Sequence, residues 1–100
     1  MITDRCLARA ASISFRQLRI FEAIGDQRSV RRASDECGLS QPAVTQALAK
    51  LEEQVGCVLV DRCASGSFLN EFGQIFHARI KRFFEQTGQA VVETDRKSVV

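Results

Sequence analysis

The amino-acid sequence predicts a mainly helical fold made of three helices, a short β-hairpin and a fourth, longer helix. Three observations lead to this prediction. Apolar residues recur at helical spacing in four segments, a serine or an asparagine precedes each of these segments, and a β-favouring run with a turn separates the third segment from the fourth. With 100 residues and 45% hydrophobic side chains, the chain is sized for one small core.

The first predicted helix begins after Ser14, whose hydroxyl is a suitable N-cap. The segment 25–28 is expected to end it. Residues 1–14 contain only a short apolar run that Arg9 interrupts, so we predict a flexible N-terminal arm and no signal peptide. The apolar side of the helix carries Phe15, Leu18, Phe21 and Ile24.

The second predicted helix is short, the third is longer, and a tight turn joins them. Ser29 caps the second helix and Gly38 is suited to end it, while Ser40 caps the third and Pro42 lies in its first turn. This order is that of a helix-turn-helix, in which the later helix reads DNA. Pattern alone leaves DNA binding and a three-helix bundle without a DNA partner equally open. The predicted inner faces are Val30, Ala33, Ser34 and Cys37, and then Val44, Ala47, Leu48, Leu51 and Val55.

A hairpin and a fourth helix complete the predicted fold. Residues 57–60 favour a strand, 64–66 a turn and 67–69 a return strand, which together form a wing. Asn70 is suited to cap a helix over 70–89 that ends near Gly88, and the tail 90–100 has no clear period and stays unassigned. The sequence therefore predicts a winged helix-turn-helix over 15–69, followed by a long dimerisation or linker helix.

The fourth helix carries four of the seven phenylalanines in the chain, which is more than one small core should need. One interpretation is burial against the domain's own core. We favour a second, in which the stripe forms a self-association seam resembling a coiled coil. The residues of this stripe are Phe72, Ile75, Phe76, Ile80, Phe83 and Phe84.

Composition argues against several other function classes. The four cysteines contain no close C-x-x-C pair and His77 completes no zinc-ligand spacing, so we expect no metal or cofactor. Cys37 and Cys57 lie at apolar positions of patterned segments, so we interpret them as reduced packing residues of a cytoplasmic protein. No segment approaches membrane-spanning length. No serine or cysteine stands beside a recognisable base and acid, so we do not expect an enzyme. The only concrete enzymatic alternative is thiol chemistry at Cys63.

Several strings resemble the DNA-binding part of LysR-type transcription regulators. The string Ser40-Gln41-Pro42-Ala43-Val44-Thr45, continuing to Leu51-Glu52, is similar to the family's recognition segment. The resemblance covers about 15–89 and implies a homodimer through the linker helix that binds an interrupted palindrome in double-stranded DNA. It also implies that the effector-binding domain of such regulators is missing here. Further similar strings are 15–21 for the first helix, 29–33 for the second, 56–62 for the approach to the wing and 69–73 for the linker helix.

The resemblance implies base contacts from the start of the third helix. Gln41 and Thr45 stand one turn apart, with Gln46 adjacent, and Pro42 adds an apolar contact. A glutamine amide can bind an adenine edge through two hydrogen bonds, while threonine offers a hydroxyl group and a methyl group. The alternative for Gln41 and Thr45 is capping or plain solvation.

A second set is expected to bind the DNA backbone and to position the third helix without specifying sequence. For its arginines the alternative is a solvated role or an ion pair with Asp35 or Glu36. The set consists of Ser29, Arg31, Arg32, Ser40, Arg62 and Ser65.

Two positions depart from the family pattern in the direction of lower positive charge. Ser65 stands where the family usually carries a second basic wing residue, and Gln46 where many relatives carry arginine. We therefore expect weaker and more salt-sensitive DNA binding than in a typical relative. The alternative function is a dimerisation module that pairs with full-length regulators without strong DNA binding of its own.

Overall fold

The computed structural model describes residues 2–98, with side chains described for residues 2–96. The predicted fold class is confirmed: a helix-turn-helix core is followed by a two-stranded wing and a long helix. No helix in the described range is long and apolar enough to span a bilayer. The elements are α1 (Asp4–Ala11), α2 (Phe15–Gln27), α3 (Val30–Cys37), α4 (Gln41–Val55), β1 (Val60–Cys63), β2 (Gly66–Leu69) and α5 (Glu71–Ser98).

Local capping sets the beginnings of the four predicted helices. At each start, the side chain of the capping residue accepts a hydrogen bond from the backbone N–H three residues later, which satisfies one otherwise unpaired donor. The start of α2 has a full capping box, because the Gln17 side chain also accepts from the Ser14 N–H at 2.9 Å. The four pairs are Ser14 with Gln17 at 3.1 Å, Ser29 with Arg32 at 3.1 Å, Ser40 with Ala43 at 3.2 Å, and Asn70 with Gly73 at 2.8 Å.

The core lies where α2 meets α3, α4, the wing and α5. Phe21 and Ile24 of α2 are fully buried, as are Val44 and Leu51 of α4. Burial of apolar surface from three helices and a hairpin against one central helix is the main stabilising term available to so short a chain. The remaining buried hydrophobic residues are Leu18, Ile20, Ala23, Val30, Ala33, Leu48, Leu59, Val60 and Ile80.

The wing begins later than predicted. Residues 57–59 were expected in its first strand, but β1 starts at Val60 and pairs antiparallel with β2. The Glu52 carboxylate of α4 accepts hydrogen bonds from the N–H groups of Leu59 at 2.7 Å and Val60 at 3.3 Å. Because these donors bind a side chain of α4, they are not available to extend the hairpin ladder.

The N-terminal segment contains a helix where the sequence predicted a flexible arm over 1–14. The cap of α1 is Thr3, and the Arg9 guanidinium donates to the carbonyl groups of Gln54, at 3.1 Å, and of Val55 at the end of α4. No residue of α1 is buried. Polar contacts rather than an apolar face hold α1 in place, and this is why hydrophobic periodicity did not reveal it.

The last helix is longer than the predicted span of 70–89. It continues through Gly88, which does not adopt the left-handed conformation of a helix-ending glycine, and it includes most of the unassigned tail. Residues 99 and 100 of that tail lie outside the described residues.

The α2–α5 interface combines an apolar centre with a charged edge. The rings of Phe21 and Phe76 lie 5.5 Å apart between centroids. At the edge, Asp26 is 3.0 Å from His77 Nε2 and accepts a hydrogen bond from Lys81 Nζ at 3.0 Å. This bond to Asp26 raises the pKa of Lys81 above its ordinary value. The long helix is thus fixed to the helix-turn-helix by both packing and charge.

The apolar stripe of α5 is divided between the two interpretations. Ile80 is only 8% exposed and belongs to the chain's own core, which corrects its assignment to a dimer seam, and Phe76 and Phe84 pack against that core. Phe72, Ile75 and Phe83 are 58%, 60% and 37% exposed. These three members of the predicted seam are exposed, and the Phe83 ring also packs edge-on against the rings of Phe15 and Phe84, each with centroids 5.4 Å apart.

Gly73 and Gly88 of α5 should respond in opposite ways to replacement by alanine. A Cβ at position 73 would overlap the carbonyl oxygen of Leu59, whereas one at position 88 would meet nothing within 4 Å. We expect Gly73→Ala to lower the free energy of unfolding by about 1–3 kcal/mol. Gly88→Ala should raise it by about 0.5–1 kcal/mol. Urea denaturation at one protein concentration measures both, and equal effects would contradict the described packing of α5.

Candidate nucleic-acid interface

The first turns of α4 present polar side chains to solvent. Gln41, Pro42 and Gln46 are exposed and Thr45 is half-buried, while the opposite side of the helix is buried in the core. Ser40 performs the capping of this helix, with Pro42 in the first turn where a missing N–H costs nothing. Within the described residues, the side chains of Gln41, Thr45 and Gln46 make no hydrogen bond. Their polar groups are free for an external partner.

A first cleft, of about 390 Å³, borders this surface between the start of α2 and α4. It is lined by Gln46 and by two cationic side chains, Arg16 and Lys50, which are exposed. No carboxylate lines it. Sequence reasoning missed Lys50, although it lies one helical turn after Gln46, a spacing that places the two side chains together. Arg16 belongs to the arginines in the first third of the chain that, from the sequence alone, could meet phosphates.

A second cleft, of about 480 Å³, lies between the α2–α3 turn and the wing. Ser29, Arg31 and Arg32 line it, and Ser65 joins them from the wing turn. All four belong to the set that the sequence predicts to bind the DNA backbone. Arg28, which the sequence places in a helix break and among several arginines of the first third of the chain that could meet phosphates, also lines it. The structure thus brings four of the six predicted backbone-contact residues together; Ser40 remains at the start of α4 and Arg62 on β1.

The arginines of the second cleft have no acidic partner. The predicted alternative was an ion pair of Arg31 or Arg32 with Asp35 or Glu36, and among residues 2–96 neither pair forms. The cleft lining contains no carboxylate. Like charges held close together without a counter-ion favour the binding of an anion.

The last residue of β1, Cys63, has a thiol that contacts the wing turn. The Sγ of Cys63 and the Oγ of Ser65 are 3.2 Å apart, and this hydrogen bond lowers the pKa of the exposed Cys63 thiol. Burial, followed by the charge of Glu36, instead raises the pKa of Cys37 in α3. All four cysteines are free, and the described residues contain no cluster of three or more His, Cys, Asp and Glu side chains that could hold a metal ion.

Comparison with known proteins identifies relatives over most of the chain. The sequence model for "Bacterial regulatory helix-turn-helix protein, lysR family" matches residues 15–74. The chain is 42% identical over 66 residues to the RuBisCO operon transcriptional regulator of Allochromatium vinosum, a match covering 65% of this chain and 22% of the relative. It is 35% identical over 82 residues to the probable hydrogen peroxide-inducible genes activator of Streptomyces viridosporus, covering 82% and 26%. The chain thus spans about a quarter of the length of these relatives.

Solved structures of DNA-binding domains share this fold. A BenM DNA-binding domain in complex with catB site 1 DNA is similar with a TM-score of 0.84 and 25% identity, over 87% of this chain and 97% of that chain. A CbnR DNA-binding domain in a DNA complex is similar with a TM-score of 0.79 and 28% identity, over 85% and 98%. In both cases nearly the whole solved domain corresponds to this chain.

The thiols of Cys63 and Cys37 should differ in the pH dependence of their alkylation. Because the thiolate is the reactive form, the lowered pKa of Cys63 should give half-maximal reaction at lower pH, and the raised pKa of Cys37 at higher pH. Iodoacetamide labelling across a pH series, read by peptide mass spectrometry, measures both. In Ser65→Ala the profile of Cys63 should shift upward while that of Cys37 stays unchanged. Coincident profiles in the wild type would contradict this assignment.

Proposed function

Because this chain belongs to the LysR family of bacterial regulatory helix-turn-helix proteins, we propose that it is a sequence-specific DNA-binding module that acts as a dimer. In this proposal α4 enters the major groove of double-stranded DNA, and two copies read an interrupted palindrome. The observation that carries the proposal is the unpaired polar surface at the start of α4, bordered by a cationic cleft that contains no carboxylate. The BenM and CbnR domains that share the fold were solved with DNA, which supports the same role here.

Base recognition is assigned to the exposed end of α4. Gln41 and Thr45 lie one turn apart, so both side chains can reach base edges within one major groove about 12 Å wide. The Gln41 amide matches the donor and acceptor pair of adenine, and the Thr45 methyl group matches the methyl group of thymine. Gln46 and Pro42 complete this surface with an amide and an apolar contact.

Backbone binding is assigned to the residues around both clefts and on the wing. Arg31, Arg32 and Ser29 form the first group, at the beginning of α3. Ser40, Arg62 and Ser65 extend the contact to α4 and the wing, all three being exposed. To these predicted residues we add Arg16 and Lys50, because they line the first cleft beside Gln46. Contacts of this kind fix register on the duplex and make affinity depend on salt.

Dimerisation is assigned to the open part of the α5 stripe. Phe72, Ile75 and Phe83 follow each other at near-helical spacing and expose apolar surface that the chain's own core does not cover. Pairing α5 with its copy would bury this surface and hold two α4 helices at a fixed separation.

Sequence-specific binding makes a prediction for Gln41 and Thr45. The wild type should bind random-sequence duplexes with an affinity that falls as salt rises, and should enrich a preferred site from a random pool. Gln41→Ala or Thr45→Ala should weaken binding to that site by about 1–3 kcal/mol and leave random-sequence affinity nearly unchanged. Fluorescence anisotropy measures both.

The control is Gln89→Ala, which removes an exposed glutamine from α5 and should bind as the wild type does. Equal losses on the preferred and random duplexes would show that Gln41 and Thr45 contact phosphates alone. A wild type without salt-dependent binding would instead favour the dimerisation module that pairs with full-length regulators.

Dimer formation makes a prediction for Ile75. Because Ile75 is 60% exposed, Ile75→Glu should leave the fold intact while placing an unpaired charge in the seam. We expect a dimeric wild type and a largely monomeric variant at micromolar concentration, measured by sedimentation equilibrium. The neighbouring Gln74→Glu introduces the same side chain at an exposed position and should stay dimeric. A monomeric wild type, or a dimeric Ile75→Glu, would contradict the assignment.

A further inference from the structure

Arg28 has a backbone conformation that the fold imposes on it. It caps the end of α2 with φ 55° and ψ 31°, and among the described residues it is the one non-glycine residue with positive φ. Its N–H donates to the Ile24 carbonyl at 2.8 Å, and its own carbonyl accepts from the Ser67 N–H at 3.1 Å. Both neighbours are fixed, because Ile24 is fully buried and Ser67 belongs to β2.

The wing leaves this backbone no freedom to relax. A Cβ added to Gly66 would lie 2.7 Å from the Arg28 carbonyl oxygen, so the two chain segments are already in contact. The left-handed conformation at position 28 is therefore a requirement of how the wing joins α2. Glycine meets such a requirement without steric cost, asparagine meets it readily, and a long side chain such as arginine meets it poorly.

The side chain of Arg28 has no partner within the chain to offset this strain. Arg28 is exposed, and among residues 2–96 its guanidinium makes no hydrogen bond, ion pair or contact with a ring face. A residue that keeps a strained backbone conformation without a stabilising side-chain contact inside the protein is a candidate for a role in binding.

Charge gathers around this side chain without being neutralised. Arg28, Arg31 and Arg32 line the same cleft, and the hydroxyl groups of Ser29 and Ser65 line it as well. Three guanidinium groups and two hydroxyl groups are the donors that phosphate oxygens accept from. The wing residues that line the cleft bring no cation, so its positive charge comes from Arg28 in the α2–α3 turn and from Arg31 and Arg32 of α3.

We propose that Arg28 is a phosphate-binding residue, whose guanidinium holds a phosphodiester of the DNA backbone between the α2–α3 turn and the wing. This proposal rests on the DNA-binding function proposed above. In the complex, the phosphate neutralises charge that the free protein leaves unpaired. The contact positions the duplex against the wing and carries no sequence information.

The test separates binding from folding, because Arg28→Gly should weaken DNA binding without lowering the stability of the fold. Arg28→Gly relieves the backbone strain and removes the charge, so its Tm should equal or exceed that of the wild type while its DNA affinity falls. We expect a loss of roughly fivefold near 0.1 M salt on preferred and random-sequence duplexes alike. The slope of log affinity against log salt should decrease in magnitude by about 1. Arg28→Asn should behave in the same way.

Arg28→Lys is the matched control, since it keeps both the charge and the strained backbone and should retain the wild-type salt slope. Wild-type affinity and slope in Arg28→Gly and Arg28→Asn would overturn the assignment of Arg28 while leaving the proposed function in place. A lower Tm in both variants, accompanied by weaker binding, would also overturn it, because the side chain would then support the fold. A wild type without salt-dependent binding would overturn the proposed function itself.

Discussion

The buried face of α2 is the constraint on which the rest of the structure depends. At its start, the Gln17 amide donates to the Gln54 side chain of α4 at 2.6 Å. At its middle, Phe21 is fully buried and packs against Phe76 of α5. At its end, the Arg28 carbonyl holds the wing through Ser67. One helix therefore fixes α4, α5 and the wing relative to one another.

The wing is fixed a second time, from α4. The Glu52 carboxylate binds two backbone N–H groups at the approach to β1, so the helix that presents Gln41 also determines where the hairpin begins. Charged acceptors make stronger hydrogen bonds than neutral ones. The Glu52 carboxylate thus takes the place of the first hydrogen bonds that a longer β1 would make with β2. Because hydrogen bonds from both α2 and α4 hold the wing, the two walls of the second cleft are fixed relative to one another, as the proposed contact with the DNA backbone requires.

The parts of the fold that local chemistry determines could be predicted from the sequence. N-caps and the helix-turn-helix depend on contacts three or four residues apart. The roles of Gln41 and Thr45 came from the resemblance to LysR-type regulators and stay predictions. The strand boundary could not be predicted, because it depends on which N–H groups a carboxylate of α4 binds. Periodicity marked Ile75 and Ile80 as one stripe but could not show where the core ends. Arg16, Lys50 and Arg28 join the candidate site through tertiary packing, which no local pattern records.

The docking of α1 has a consequence for how such domains can vary. Its principal anchor, Arg9, binds the main-chain carbonyl groups of Gln54 and Val55, and every helix presents unpaired carbonyl groups of this kind at its C-terminus. The Gln54 side chain adds two hydrogen bonds, to the carbonyl group and the hydroxyl group of Ser12, which is the C-cap of α1. Attachment of this kind depends on two polar side chains, Arg9 and Gln54, and makes little demand on the other residues of the helix that receives it.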